Sequence, residues 1–200
     1  MTNEHYFSPQ PASPSQPYLI RVALPDGTLH LTTDRGVFSY GALDTGTRLL
    51  LLKAPPPAST GNLLDLGCGV GPIAITLALR APQATVWAVD VNERAVALCR
   101  QNAEANNAKV RACLPSEVPD DVVFDTIWSN PPIHIGKTAL HELLLKWLSR
   151  LAPTGRAIMV VQKHLGSDSL QAWLTDQGYP TERLASAKGF RLLSITSTQG

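Results

Sequence analysis

Residues 130–133, Asn-Pro-Pro-Ile, are the stretch of this 200-residue chain whose residue types and order point most directly to chemistry. Proline has no backbone N–H and a fixed φ, so two in succession end a strand, stiffen the loop and leave carbonyls turned outward. The side-chain oxygen of Asn130 and the carbonyl of Pro131 can then accept the two hydrogens of one planar amino group. Held from one side, that group pyramidalises and aims its lone pair at an electrophile. This requires positioning and electrostatics, not a strong base. A second stretch, Asp65-Leu-Gly67-Cys68-Gly69-Val-Gly71-Pro72, places glycines at alternate positions. Glycine permits positive φ and close approach of a ligand to the backbone, and a helix opening behind it offers free N–H groups. It departs from the dinucleotide fingerprint. Pro72 stands where the third glycine belongs, and Asp65 puts a carboxylate where a pyrophosphate would be repelled. A third residue, Asp90, follows Gly67 by 23 positions, near the spacing at which an acid reaches ribose hydroxyls. A carboxylate accepts from both hydroxyls at once. Asn92 reads as the cap of the helix behind it.

These residues need a frame that gathers strand ends. After residue 60, short apolar runs alternate with amphipathic ones. Leu63–Leu66, Thr85–Val91, Val110–Cys113, Phe124–Ser129 and Ala157–Gln162 read as strands. Ile73–Arg80, Glu93–Asn106, Thr138–Leu151 and Ser169–Gln177 read as helices, the last closed by Gly178. Thr181–Ala185 and Phe190–Thr196 have no helix between them, which predicts an antiparallel pair at one sheet edge. The fold class is therefore α/β, a doubly wound, mostly parallel sheet of seven strands. Gly67, Asp90 and Asn130 all fall at its carboxyl edge, where such sheets bind ligands.

Upstream, Tyr18–Leu24 and Thr28–Thr32 alternate around Pro25-Asp26-Gly27, the turn chemistry of a β-hairpin. An irregular stretch follows, then apolar Thr47–Lys53 and the rigid connector Ala54-Pro-Pro-Pro-Ala58. Residues 1–17, with four prolines, read as a flexible arm. The expected division is arm 1–17, hairpin and connector 18–56, and a main domain over 57–200.

The glycine loop resembles the D-x-G-x-G-x-G of class I S-adenosylmethionine-dependent methyltransferases. That resemblance implies S-adenosylmethionine as cofactor, held by Asp65, Gly67, Cys68, Gly69, Gly71 and Asp90, with Val91 near the adenine and Asn130 at the methyl end. It implies Asn130, Pro131, Pro132 and Ile133 as the catalytic tetrapeptide. Ile133 stands where amide and adenine-N6 methyltransferases usually carry Tyr or Phe. The longer run Asn130-Pro-Pro-Ile-His-Ile-Gly-Lys137, with Arg35-Gly-Val-Phe-Ser39 and Leu43-Asp-Thr-Gly-Thr47, resembles the small-subunit ribosomal RNA guanine-N2 methyltransferase family in a single-domain form. The implied acceptor is guanine N2 of 16S ribosomal RNA, with ribosomal RNA or the small subunit as partner. A protein glutamine or small amine as acceptor, and a cofactor-binding RNA chaperone or assembly factor without turnover, are the alternatives.

Charge supports a local rather than a global nucleic-acid surface. The formal net charge is only +1, but residues 1–129 carry −3 and residues 130–200 carry +4. His134, Lys137, Lys163, Lys188 and Arg191 are candidate phosphate contacts, His134 only when protonated. Phe38 can stack on the cofactor or a target base, or pack in the core. Cys68, Cys99 and Cys113 show neither disulfide nor metal-ligand spacing, so no metal is expected. No apolar run has the length of a membrane span, and the first residues lack a signal peptide's pattern. The expected setting is the cytoplasm, with no membrane partner.

Overall fold

The computed structural model describes residues 13–197. Most of the proposed arm therefore lies outside the described residues. A two-stranded hairpin opens the fold, β1 (Tyr18–Leu24) against β2 (Gly27–Thr33), with Leu24 opposite Gly27. The turn is thus the Pro25–Asp26 pair. Helix α1 (Thr45–Lys53) follows, where the sequence read only an apolar stretch. It starts because the Asp44 side chain accepts from Thr47 N–H at 2.8 Å, an N-cap that satisfies one of the free donors of the first turn.

The main sheet contains β3 (Asn62–Leu66), β4 (Thr85–Val89), β5 (Val110–Cys113), β6 (Phe124–Ser129), β7 (Leu151–Gln162), β8 (Thr181–Ala187) and β9 (Phe190–Thr196). Its order is β5-β4-β3-β6-β7-β9-β8. The first five pair with one another in parallel, whereas β9 runs antiparallel to both β7 and β8; the antiparallel β8–β9 pair at the sheet edge is the one that the missing helix between the last two strands predicted. Helices α2 (Pro72–Arg80) and α3 (Glu93–Ala105) pack with α1 on one face, through Leu50, Ile73, Leu77, Val96 and Cys99. Helices α4 (Lys137–Leu148) and α5 (Ser167–Asp176) cover the other, through Leu140, Leu144, Trp147, Leu170 and Leu174. Both faces of the central strands are buried, which is why β3, β4 and β6 read as nearly continuous apolar runs.

Element boundaries differ from expectation most around residue 150. The sequence carried the third long helix to Leu151, but α4 stops at Leu148 and β7 already begins at Leu151. The pairing of β6 with β7 shifts register between Phe124 and Thr126, so the Pro153–Gly155 segment forms an irregularity that a proline can occupy.

The hairpin is bound to the main unit by α3. Asn102 accepts from Thr32 N–H at 2.7 Å and donates to Thr32 O at 2.9 Å; Asn106, one turn on, does the same for His30 at 2.9 and 2.8 Å. Two side-chain amides thus pair the open edge of β2, while Val22, Leu29 and Leu31 bury against Ile75 and Ala103.

Candidate active site

The carboxyl ends of β3, β4, β6 and β7 converge on a cavity of about 240 Å³. Its floor is the glycine loop. Gly67 and Gly69 have φ of +77° and +52°, and among the described residues no atom beyond the adjoining residues lies closer than 4.0 Å to a Cβ built on either. A ligand can therefore rest on this backbone. Gly71 serves a different purpose. A Cβ there would lie 2.6 Å from Cys99 Sγ and 3.4 Å from Cys99 Cα, so this glycine lets α2 and α3 approach, and it is not among the residues lining the cavity.

Asp90 lines the opposite wall. Its two carboxylate oxygens accept from Gly69 N–H and Asn92 N–H, each at 2.9 Å, which ties the loop to the end of β4. Each oxygen retains a lone pair for a further donor. Burial raises the Asp90 carboxyl above its usual range, against the backbone hydrogen bonds that pull it down. Asn92 caps α3 by accepting from Arg94 and Ala95 N–H, as expected, and also donates to Gly36 O at 2.9 Å. That bond draws the Asp34–Asp44 segment over the loop, with Val37 and Phe38 forming the cavity's side.

Asp65 stands apart from the cavity. It is fully buried beneath the loop, where Oδ2 accepts from Ala74 N–H at 2.9 Å and Oδ1 has no partner among the described residues. Burial pushes its carboxyl up to about 8. Its visible function is to brace the first turn of α2. Cys68 is likewise buried, and Val91 is exposed without lining the cavity. All three cysteines are buried and free.

The remaining wall is Asn130, Pro131, Pro132, Ile133 and His134, close enough to the glycine loop that Pro132 Cδ is the nearest atom to a Cβ on Gly67. The Asn130 side chain is held from the N-terminal part of the chain. Its Nδ2 donates to Asp44 Oδ2 at 2.8 Å and to Thr47 Oγ1 at 3.0 Å. Asp44, Gln162 and Phe190 also line the cavity. Asp44 lies in the Leu43-to-Thr47 segment that carried the resemblance, which gave it no role; Gln162 and Phe190 were not singled out, and their chain separation from Asn130 leaves no local pattern to find them by.

The basic candidates divide. His134 is exposed at the cavity rim, and Lys137 lies beyond Ile133 beside a second cavity of about 150 Å³. Lys163 N–H donates to Gly189 O at 2.7 Å, which brings the Lys188 turn next to it on the same edge. Arg191 is only 7% exposed and forms an ion pair with Asp168. A paired, buried guanidinium is not available to a phosphate, so Arg191 leaves the set of candidate contacts. His141, on α4, stacks on Trp173 with ring centroids 3.5 Å apart.

The donors and acceptors present fit a ligand with a vicinal diol. Glycines provide close approach, and Asp90 has spare acceptor capacity at the cavity wall. Facing them, the Asn130–Pro131 wall can accept the hydrogens of an amine.

Residues 28–194 match the methyltransferase small domain family. The chain is 38% identical over 171 residues to the uncharacterized protein YbxB of Bacillus subtilis, covering 84% of this chain and 85% of that one. It is 36% identical over 141 residues to ribosomal RNA small subunit methyltransferase C of Psychromonas ingrahamii, covering 68% of this chain but 40% of that protein. Among solved structures, the T. thermophilus 16S rRNA N2 G1207 methyltransferase in complex with AdoMet and guanosine superposes with a TM-score of 0.79 at 25% identity, covering 92% of this chain and 51% of that one. The chain thus spans about half or less of the length of these ribosomal RNA methyltransferases.

Proposed function

The chain belongs to the methyltransferase small domain family, an S-adenosylmethionine-dependent class I fold, and on that premise we propose that it methylates the N2 amino group of a guanine in small-subunit ribosomal RNA. The observation that carries the reading is the placement of Asn130 and Pro131 across one cavity from Gly67, Gly69 and Asp90. S-adenosylmethionine supplies an electrophilic methyl group on a sulfonium.

The chain's own residues do the rest. Asp90 accepts from the ribose hydroxyls, and the glycine loop admits the ligand to van der Waals contact with the backbone. Asn130 Oδ1 and the Pro131 carbonyl accept the two N–H bonds of the guanine amino group. This withdraws its lone pair from conjugation with the ring and directs it along the line of attack. The oxygens would favour the ammonium-like charge that develops on nitrogen as the new C–N bond forms and the methyl–sulfur bond breaks, its electron pair leaving with sulfur as a neutral thioether. The proton is then lost to solvent from a nitrogen already made acidic. Reaching these oxygens requires an unpaired or flipped base. Ile133 would give that base an apolar contact, and His134 at the rim, with Lys137 beyond it and Lys163 and Lys188 on the same sheet edge, would meet a phosphate backbone. The small-subunit acceptor is supported by the Asn130-to-Lys137 motif together with the relatives' substrates.

The test offers purified protein and methyl-labelled S-adenosylmethionine to small subunits, large subunits, deproteinised RNA and a nucleic-acid-free protein extract. Label recovered as N2-methylguanosine from small-subunit RNA is the expected result. Label in protein replaces guanine with a glutamine amide. Cofactor binding with no label on any fraction removes the RNA reading.

A further inference from the structure

The catalytic amide is held from a distance, and the way it is held restricts what it can offer. A side-chain amide has one acceptor end and one donor end, and either can face a cavity. Asp44 settles which end faces inward. A carboxylate oxygen only accepts, so the group 2.8 Å from Asp44 Oδ2 has to be the NH₂ of Asn130. Thr47 Oγ1, at 3.0 Å, takes the second hydrogen of the same nitrogen. Both Nδ2 hydrogens are then taken by Asp44 and Thr47 of the protein's own wall, and Oδ1 is the end left to meet a substrate.

We propose that Asp44 and Thr47 are positioning residues that fix the polarity of the Asn130 amide, so that the site presents an acceptor and selects a substrate atom that carries N–H bonds. The proposal rests on the N-methyltransferase reading and adds what sets its selectivity. If the amide turned over, its NH₂ would face the substrate amine, donor against donor, and the amine would lose the contact that draws out its lone pair. A charge-assisted bond holds the amide more firmly than a neutral one, which suits Asp44 to the task.

The arrangement also couples two parts of the chain. The same Asp44 Oδ2 accepts from Thr47 N–H and so caps α1, while Thr47 is buried and already fixed by the helix. The first turn of α1 thereby holds both acceptors in place for Asn130. The segment Leu43–Thr47 becomes part of the active site although it lies more than eighty residues upstream.

The test separates orientation from helix capping. Asp44→Ser/Thr47→Val keeps a good N-cap side chain and the shape of Thr47, but removes both acceptors from Asn130. Asp44→Asn is the conservative variant, since its amide oxygen can still accept both bonds. The double variant is expected to lose about 100-fold in kcat with the KM for S-adenosylmethionine little changed, the scale of a misplaced reacting group. Asp44→Asn is expected to recover most of that loss. A mere capping role predicts equal, small effects from both variants, and retention of kcat by the double variant would overturn the proposal. A second readout needs no acceptor. With ¹⁵N-labelled asparagine, the Asn130 side-chain NH₂, assigned by its disappearance in Asn130→Ala, is expected to exchange slowly with solvent in the native protein and quickly in the double variant. Fast exchange in the native protein would refute the lock. Slow native exchange with no transfer to RNA would leave the lock standing and refute the RNA assignment instead.

Discussion

The two sides of the cavity are built by opposite means. The cofactor side uses neighbours. Gly67, Gly69 and Asp90 come from consecutive strand ends, and the bond between Gly69 N–H and Asp90 spans 21 residues. Much of its contact surface is backbone. The acceptor side uses distant parts. Asn130 depends on Asp44 and Thr47, 86 and 83 residues away, and shares its wall with Phe190 from the opposite end of the chain. A side made of local turns forms whenever its strands pair. A side assembled across the chain needs the whole fold in register. The first suits a ligand of constant shape, and the second can be altered for a new acceptor without disturbing the first.

If this division is real, damage should separate into binding and turnover. The largest effect belongs to Asn130→Ala. Loss of an acceptor aimed at developing charge should lower kcat by about 10²–10³-fold, by analogy with removing one oxyanion-hole donor. Calorimetry should find the S-adenosylmethionine affinity retained. A parallel loss of affinity would mean that Asn130 belongs to both sides. Asp90→Ala should do the reverse and weaken cofactor binding about 10- to 100-fold, the equivalent of a charge-assisted hydrogen bond. Unchanged affinity would remove Asp90 from the ribose.

Asn102 tests whether the cofactor side is as local as it looks. Besides pairing the β2 edge, its Nδ2 donates to Val70 O of the glycine loop at 2.8 Å. Asn102→Ala would leave Thr32 N–H and two carbonyls without this partner, at about 1–3 kcal/mol of stability. Chemical denaturation should register that loss, with cofactor affinity nearly unchanged. A large fall in affinity would show that the hairpin also shapes the loop, and the contrast between the two sides would weaken.

The same division explains what was legible in the sequence. The glycine loop, Asp90 and the Asn130 tetrapeptide are contiguous motifs at strand ends, and periodicity placed those ends on one edge of a seven-stranded sheet. Helix α1 was missed because Thr45-Gly-Thr carries no apolar spacing, and the Leu43-to-Thr47 motif marked a resemblance without giving Asp44 a capping role. Phe190 and Gln162 were read only as strand residues; they reach the cavity because β9 returns antiparallel beside the end of β7, a pairing no local pattern encodes. Arg191 failed for the complementary reason. Its alternation along β9 turns it inward toward Asp168, and composition alone cannot distinguish a buried cation from a free one. Asp65 belonged to a legible motif, but burial gave it a bracing function that the motif does not state.

Asp65 provides the subtlest test, since it supports the cofactor side from below. Its carboxyl is raised from 3.8 to about 8 chiefly by burial, with the neighbouring Asp90 adding to the effect and the Ala74 N–H opposing it. Between those two values the folded protein holds a proton there that the unfolded chain has released. Stability from this group is therefore complete below the unfolded value and is lost as pH rises through the folded one. Asn resembles the protonated acid in shape and cannot ionise, so Asp65→Asn should remove that dependence while its oxygen still accepts from Ala74. Urea midpoints of the two proteins should converge near pH 4 and separate toward pH 8, with the variant the more stable at the alkaline end. Midpoints that stay parallel across the range would mean that Asp65 is ionised in the fold. Its unpartnered oxygen would then have found a donor, and the floor beneath the glycine loop would be more open to solvent or ligand than the packing around it indicates.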